Sequence, residues 1–303
     1  MTANVLFLGA TGHIGAAVLQ ALKAIFPELP VSAIVTSKGH FQSLSDTYRE
    51  NFFIIKGSLG EYNLLVTEAS KTCLVINCAP VPYTEGIAAL FRGLASGSSP
   101  TTPVFYIHTS GAARIWDPPN GDVEGRVWDD VATAASSSSG EHTAIISPGF
   151  VVGRSPSRTH AVPITFPDWM HVVRTVGGPF TVASGRNVTS FVDTEALAGL
   201  YVRLAEDALR YIAGEGGGIA APDENVWGPR AYYFASTLEV PMREFNDRYL
   251  IPALKKTAAG AWLKKETTTE LSVEEVYQIV MGRFDDGVEA GIWSRHIAEA
   301  FGT

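Results

Sequence analysis

The sequence predicts an α/β protein: a doubly wound parallel sheet carrying a small, mainly helical C-terminal lobe. Three observations predict it. Short apolar runs alternate with helical patterns through most of the chain, the signature of βα units. The first run, Asn4-Val5-Leu6-Phe7-Leu8, breaks at Gly9, Gly12 and Gly15 and passes at once into a helical stripe. Beyond residue 240 the pattern is helical only. The expected division is residues 1–160 and 186–240 for the sheet domain, with 161–185 and 241–303 forming the lobe.

Ile14, Val18, Leu22 and Ile25 recur at helical spacing, so the opening segment reads as strand, tight turn and helix. Glycines let the backbone bend and let a ligand approach closely, and the free N–H groups of a helix start favour a phosphate. Gly9, Gly12 and Gly15, with Thr11, His13 and Ile14 between them, therefore fit a dinucleotide pyrophosphate site of the Gly-x-x-Gly-x-x-Gly kind. The alternative is a tight turn that binds nothing. An exposed side chain is the default for His13.

Val31 to Thr36 is the second strand. An acid at its end would bind the ribose hydroxyls of NAD, whereas a cation accommodates the 2′-phosphate of NADP. The chain has Thr36, Ser37 and Lys38 there and no acid before Asp46, which favours NADP over NAD; a solvated loop charge is the other role open to Lys38. Phe52 to Ile55 is the third strand, and Leu74 to Asn77 the fourth, running into Cys78-Ala79-Pro80. A helix spans Tyr83 to Leu94. Val104 to His108 is the fifth strand, followed by Thr109-Ser110-Gly111. A polar, irregular stretch reaches Glu141. His142 to Ile146 is the sixth strand, entering Ser147-Pro148-Gly149-Phe150. Ligands of such sheets sit at the carboxyl ends of the strands, which lines up Gly9 to Gly15, Ser37, Ala79, Ser110 and Pro148 on one rim.

Pro163 to Phe180 is rich in aromatics and prolines. Phe191-Val192 is a short strand, Asp193 is placed to cap a helix from Glu195 to Ile212, and Tyr232 to Phe234 is the last sheet strand. The tail predicts helices over Pro241–Leu254, Ser272–Met281 with a Ser272/Glu275 capping box, and Gly291–Phe301.

Composition bounds the function. The chain has 303 residues, of which 46% are hydrophobic and 18% charged, as expected of a globular protein. A net charge of -8 with no basic stripe argues against nucleic acid. The apolar runs are strand-sized, so no membrane span is expected. The N-terminus reads as that of a cytoplasmic protein. Cys73 and Cys78 fall on opposite faces of a strand, which disfavours a disulfide or metal pair, and no metal-ligand spacing occurs.

By its motifs the chain resembles the short-chain dehydrogenase/reductase superfamily, in its extended and atypical (NmrA-like) branch. These are Gly9-Ala10-Thr11-Gly12-His13-Ile14-Gly15, Asn77-Cys78-Ala79-Pro80, His108-Thr109-Ser110-Gly111, Ser147-Pro148-Gly149-Phe150-Val151-Val152-Gly153 and Phe191-Val192-Asp193. The likeness is greatest to fungal proteins related to nucleoside-sugar epimerases and dehydratases. It implies a Rossmann-type NAD(P)-binding core and a substrate lobe, as monomer or homodimer. It also implies a catalytic Ser or Thr after the fifth strand and a Tyr-x-x-x-Lys pair on the next helix. Ser110 matches the first, with Thr109 beside it. The pair has no match, because no tyrosine lies between Tyr106 and Tyr201 and no lysine between Lys71 and Lys255.

Carbonyl reduction needs a proton donor within hydrogen-bond reach of the forming alkoxide. Ser110 can bond a substrate oxygen, and Tyr83 is placed to replace the missing phenol. Both also have plain structural roles, at a strand end and a helix start. Ala79, Pro80, Pro148, Gly149 and Phe150 complete the cofactor rim. Trp116, Trp169, His171 and Arg174 border the expected small-molecule site. With Met170 and Phe180, Trp169 suggests an aromatic-lined pocket suited to a polyketide or terpenoid. Three functions follow: an NADP-dependent oxidoreductase with an unorthodox acid, a non-redox isomerase or cyclase on the same scaffold, or a cofactor-sensing regulator.

Overall fold

The computed structural model describes residues 4–79, 84–99, 102–112, 121–122, 142–214, 222–223 and 225–285. The alternating first half forms β1 (Val5–Leu8), α1 (His13–Ile25), β2 (Val31–Val35), α2 (Lys38–Thr47), β3 (Phe52–Lys56), α3 (Tyr62–Ala69), β4 (Leu74–Asn77), α4 (Thr84–Gly97), β5 (Phe105–Thr109) and β6 (His142–Pro148). Then come β7 (Phe150–Val152), α5 (Phe166–Val176), β8 (Phe180–Val182), β9 (Val188–Asp193), α6 (Thr194–Ala213), β10 (Tyr232–Ala235) and β11 (Leu238–Pro241). The tail holds α7 (Met242–Phe245), a π-helical turn (Asn246–Leu250), α8 (Ile251–Lys255), a 3-10 turn (Ala258–Trp262), β12 (Thr269–Leu271) and α9 (Val273–Asp285).

The main sheet runs β10-β6-β5-β4-β1-β2-β3, and its pairings are parallel. Helices cover both faces, which is why Val5 to Leu8 and Leu74 to Asn77 are buried at every position. Residues of α1, α2 and α6 pack on one face and those of α3 and α4 on the other. On α1, Val18, Leu19 and Leu22 are fully buried, each worth about 1.5–3 kcal/mol relative to exposure. Ile25 is 61% exposed, because the stripe leaves the sheet at the last helical turn.

The chain pattern also placed the short-range devices. The Asp193 carboxylate accepts from the N–H groups of Glu195 and Ala196 and starts α6. Ser272 and Glu275 form the reciprocal capping box of α9. Neither cysteine is part of a disulfide. Among the described residues no helix is long and apolar enough to cross a membrane.

The second core corrects one expectation. Trp169, Met170 and Phe180 do not line a pocket; they pack with Val172, Val173, Leu250, Leu254 and Val280 into the interior of the lobe. The amphipathic face of α5 needs a partner, and α9 and the α7–α8 segment supply it. The lobe also contains the parallel β8–β12 pair, and a three-stranded β11-β9-β7 sheet lies outside the main one. These strands have three to six residues, too short to show a sequence period. Pro80, Tyr83, Trp116 and the helix expected over 291–301 lie outside the described residues.

Candidate functional site

Strand β1 pairs with β2 on one side and β4 on the other, so the strand order reverses beside the glycine turn. A ligand crevice opens at such a point. The three glycines have different reasons to be there. At Gly9 (φ +78°) a Cβ would come within 2.5 Å of the Cys78 carbonyl carbon and oxygen. At Gly15 a Cβ would come within 2.0 Å of the Gly9 carbonyl oxygen. Those two let the turn pack against β4 and against α1. Around a Cβ at Gly12 the one near atom is the Gly9 oxygen, at 3.3 Å, so this side of the turn is open. Gly12 is also the N-cap of α1, and no side chain caps that helix. Its first N–H groups are left for water or an anion.

Beneath the rim lie two polar layers, one on each face of the sheet. On the α3–α4 face, Asn77 Oδ1 accepts from the Ala79 N–H at 3.0 Å and Asn77 Nδ2 donates to Tyr106 Oη at 2.9 Å. Tyr106 Oη lies 3.1 Å from His108 Nδ1. Burial pushes the Tyr106 phenol above its usual range, first among the causes. On the other face, Thr109 Oγ1 and Tyr201 Oη are 2.6 Å apart. The Cys78 thiol joins this pair, and burial pushes its pKa up to about 12. A thiol with its pKa raised in this way stays protonated at neutral pH.

Residues 153–162, unremarkable in the sequence, form a strap over the α1–α2 side of the turn. Ser157 Oγ donates to the Thr11 carbonyl and Ser155 Oγ to the His13 carbonyl, each at 2.6 Å. His13 is half-buried rather than exposed. Its Nδ1 lies 3.0 Å from the His160 carbonyl and its Nε2 3.0 Å from Thr194 Oγ1. Burial is the main cause that holds its pKa below the usual histidine value. No local pattern announces this strap, since its partners lie more than 140 residues away in sequence.

The sequence-nominated residues separate. Ser37 caps α2, accepting from the His40 N–H at 3.3 Å, and Lys38 is an exposed first residue of that helix. Ser110 sits half-exposed at the end of β5, its N–H donating to the Ile146 carbonyl at 2.7 Å. Thr109 points the other way, into the Tyr201 layer. Pro148 ends β6, the Gly149 N–H donates to the Ala235 carbonyl at 3.2 Å, and the Phe150 ring leans on Phe191. Trp169 is buried in the lobe. Arg174 lies over the Trp262 ring at 4.4 Å, and His171 is one turn earlier on α5. The rim thus gathers Gly12, His13, Ile14, Ala79, Ser110 and Pro148, while Trp169 and Arg174 have partners within the lobe. Among the described residues no group of three His, Cys, Asp or Glu is placed to hold a metal ion.

No protein-family model matches the chain. Gre2 from Candida albicans superposes with a TM-score of 0.54 at 13% identity, over 98% of this chain and 97% of that one. A dTDP-glucose 4,6-dehydratase from Streptomyces venezuelae, solved with NAD, gives 0.52 at 14% identity over 97% and 95%. The chain shares its fold with these two structures. In sequence, 115 residues are 31% identical to an oxidase, UcsJ, of Acremonium sp., a stretch covering 38% of this chain and about a third (32%) of the oxidase.

In this fold the glycine turn and the ends of β4, β5 and β6 lie along one edge of the sheet, at the crevice of the switch point, and the lobe follows the sheet. The described residues around that crevice include a hydroxyl, Ser110, and backbone N–H groups.

Proposed function

We propose that this chain is an NADP-binding oxidoreductase of the short-chain dehydrogenase/reductase type, acting on a small, largely apolar substrate without a Tyr-x-x-x-Lys pair. The observation that carries the reading is the turn at Gly12, open and uncapped at the switch point of the sheet. Gly9 and Gly15 would be needed for packing in any case; Gly12 is the one explained by a ligand.

The residues present fit a dinucleotide. The N–H groups at His13 and Ile14 would face the pyrophosphate, Ser37 and Lys38 the adenosine ribose, and Ala79, Pro80, Pro148, Gly149 and Phe150 the remaining path. A bound nicotinamide supplies or accepts hydride. Ser110 would hydrogen-bond the substrate oxygen and orient the carbonyl. The buried Tyr106, bonded to His108, holds the Asn77 amide beneath Ala79 and would orient the crevice floor. The apolar preference rests on Val162, Ile164 and Phe166, which stay exposed on the stretch leading from the strap into α5, Ile164 at 66%. The oxidase relative supports redox chemistry and the Gre2 structure with NADPH supports the cofactor class. The missing pair favours a second reading, a non-redox isomerase or cyclase on the same crevice.

Thermal unfolding with NADPH and NADH tests the proposal. Binding should raise stability by about 2.7 kcal/mol at a hundredfold excess over the dissociation constant. Gly12→Asp, which puts bulk and negative charge at the helix start, should abolish that gain. No gain with either nucleotide would remove the cofactor from the reading.

A further inference from the structure

A cavity of about 310 Å³ opens between α1, α2 and the strap, directly beside the glycine turn. Ala10, Thr11, Ala16 and Gln20 form one wall; His40, Ser43, Leu44, Thr47 and Tyr48 form the second; Pro156 to Thr159 roof it. The lining carries hydroxyls, an imidazole and the Arg158 guanidinium, and no carboxylate. Thr11 Oγ1 and His40 Nδ1 stand 3.5 Å apart in its wall, and the His40 and His160 rings are tilted by 57° with centroids 6.4 Å apart. Lys38 does not line it.

We infer that this cavity receives the 2′-phosphate of the dinucleotide, with Arg158 of the strap, not Lys38, as its cation. The inference rests on the dinucleotide reading and names the group that selects NADP over NAD. Three features support it. The cavity adjoins Thr11 on the turn and His40 near the start of α2, the side on which the adenosine ribose would hang. Its polar lining includes the Thr11 and Ser43 hydroxyls, the Gln20 amide and the Arg158 guanidinium, and guanidinium is the side chain best matched to a phosphate. Arg158 is also uncommitted enough to serve: its contact with Asp46 is long, at 3.6 Å, with side chains 60% and 46% exposed. Such a pair is weak and exchanges readily. Asp46 also accepts from Gln42 at 2.7 Å, so it keeps a partner if Arg158 turns inward.

The strap gives the assignment a structural basis. Ser155 and Ser157 pin it to the carbonyls of His13 and Thr11, which fixes the backbone leading into Arg158 relative to the glycine turn. A cation delivered this way comes from the segment after β7 and stands beside Asp46 of α2.

Dissociation constants for NADPH and NADH should be measured by fluorescence titration on the full chain and on Arg158→Ala, Arg158→Lys and Lys38→Ala. Both residues are exposed, so the variants should fold, and NADH affinity serves as the internal control. The expected result is that Arg158→Ala weakens NADPH by about tenfold or more, as for loss of a charge-assisted hydrogen bond. NADH affinity stays unchanged, Arg158→Lys recovers part of the loss, and Lys38→Ala leaves the NADPH to NADH ratio within about twofold. An unchanged ratio in Arg158→Ala, or a ratio that collapses in Lys38→Ala, overturns the assignment while leaving the cofactor reading intact. Wild-type protein that prefers NADH also overturns it. Failure of both nucleotides to bind wild type overturns the dinucleotide reading itself.

Discussion

His13 and Thr194 are 181 positions apart in sequence, and their side chains meet at 3.0 Å. His13 begins α1 and Thr194 begins α6, so this contact ties the glycine turn to the helix that packs beside it. The imidazole faces the His160 carbonyl, the Thr194 hydroxyl and the strap backbone at Val162, and His160 is the nearest other titratable group.

Burial lowers the His13 pKa from about 6.5, its unfolded value. Between the folded and unfolded values the unfolded chain binds more protons, so stability rises with pH there. The contribution is fully present above about pH 6.5 and is lost as pH falls through the lowered folded value. Urea unfolding across pH 5 to 8 should show this slope in wild type and a shallower one in His13→Gln. His142, also lowered by burial, contributes a residual slope of the same sign. Equal slopes in the two proteins would show that His13 does not titrate this way.

The glycines should separate by experiment. Gly9→Ala places a Cβ 2.5 Å from the Cys78 carbonyl at φ +78° and should destabilise by more than about 2 kcal/mol. Gly12→Ala meets the Gly9 oxygen at 3.3 Å, so its stability cost should be smaller while NADPH affinity falls. Denaturant midpoints together with nucleotide titrations distinguish the two. Gly12→Ala protein that binds NADPH as wild type does would leave the turn without a ligand-based reason for Gly12.

Adjacent hydroxyls on β5 should behave oppositely. Tyr201→Phe leaves the buried Thr109 hydroxyl without its 2.6 Å partner and should cost about 1–3 kcal/mol of stability with nucleotide affinity retained. Ser110→Ala should leave stability nearly unchanged and lower turnover once a substrate is in hand. A Ser110→Ala enzyme with full kcat would take that hydroxyl off the reaction path.

Trp169 tests the lobe. Its indole packs in the lobe core at 5.4 Å from the Phe245 ring, so Trp169→Ala should cost about 3–5 kcal/mol. A residue that merely lined a substrate pocket would change KM and leave the midpoint of unfolding in place.

Local pattern placed much of this molecule. Leu74 to Asn77 is the fourth strand to the residue, because a strand buried on both faces needs an apolar run, here Leu74 to Ile76, and the polar Asn77 marks its end. Asp193 and the Ser272/Glu275 box were legible because a cap acts over three residues. The aromatic run from Pro163 to Phe180 misled, since the same residues suit a pocket or a core. Only the amphipathic face of α5, set against α9, decided for the core. The strap was illegible, as Ser155, Ser157 and Arg158 carry no periodicity and their partners lie on α1 and α2.

By itself the sequence determined the strand–turn–helix at Gly9 to Gly15, the alternation that makes a parallel sheet, and the lack of a tyrosine and lysine where the resemblance calls for them. These depend on backbone sterics, side-chain period and residue identity, all local properties of the chain. Tertiary structure alone decided which glycine faces open space, which hydroxyl of Thr109 and Ser110 is spent on packing, and which segments share the cavity beside the turn. Those are questions of what lies within about 4 Å of an atom, and the neighbours come from strands and helices far apart in the chain.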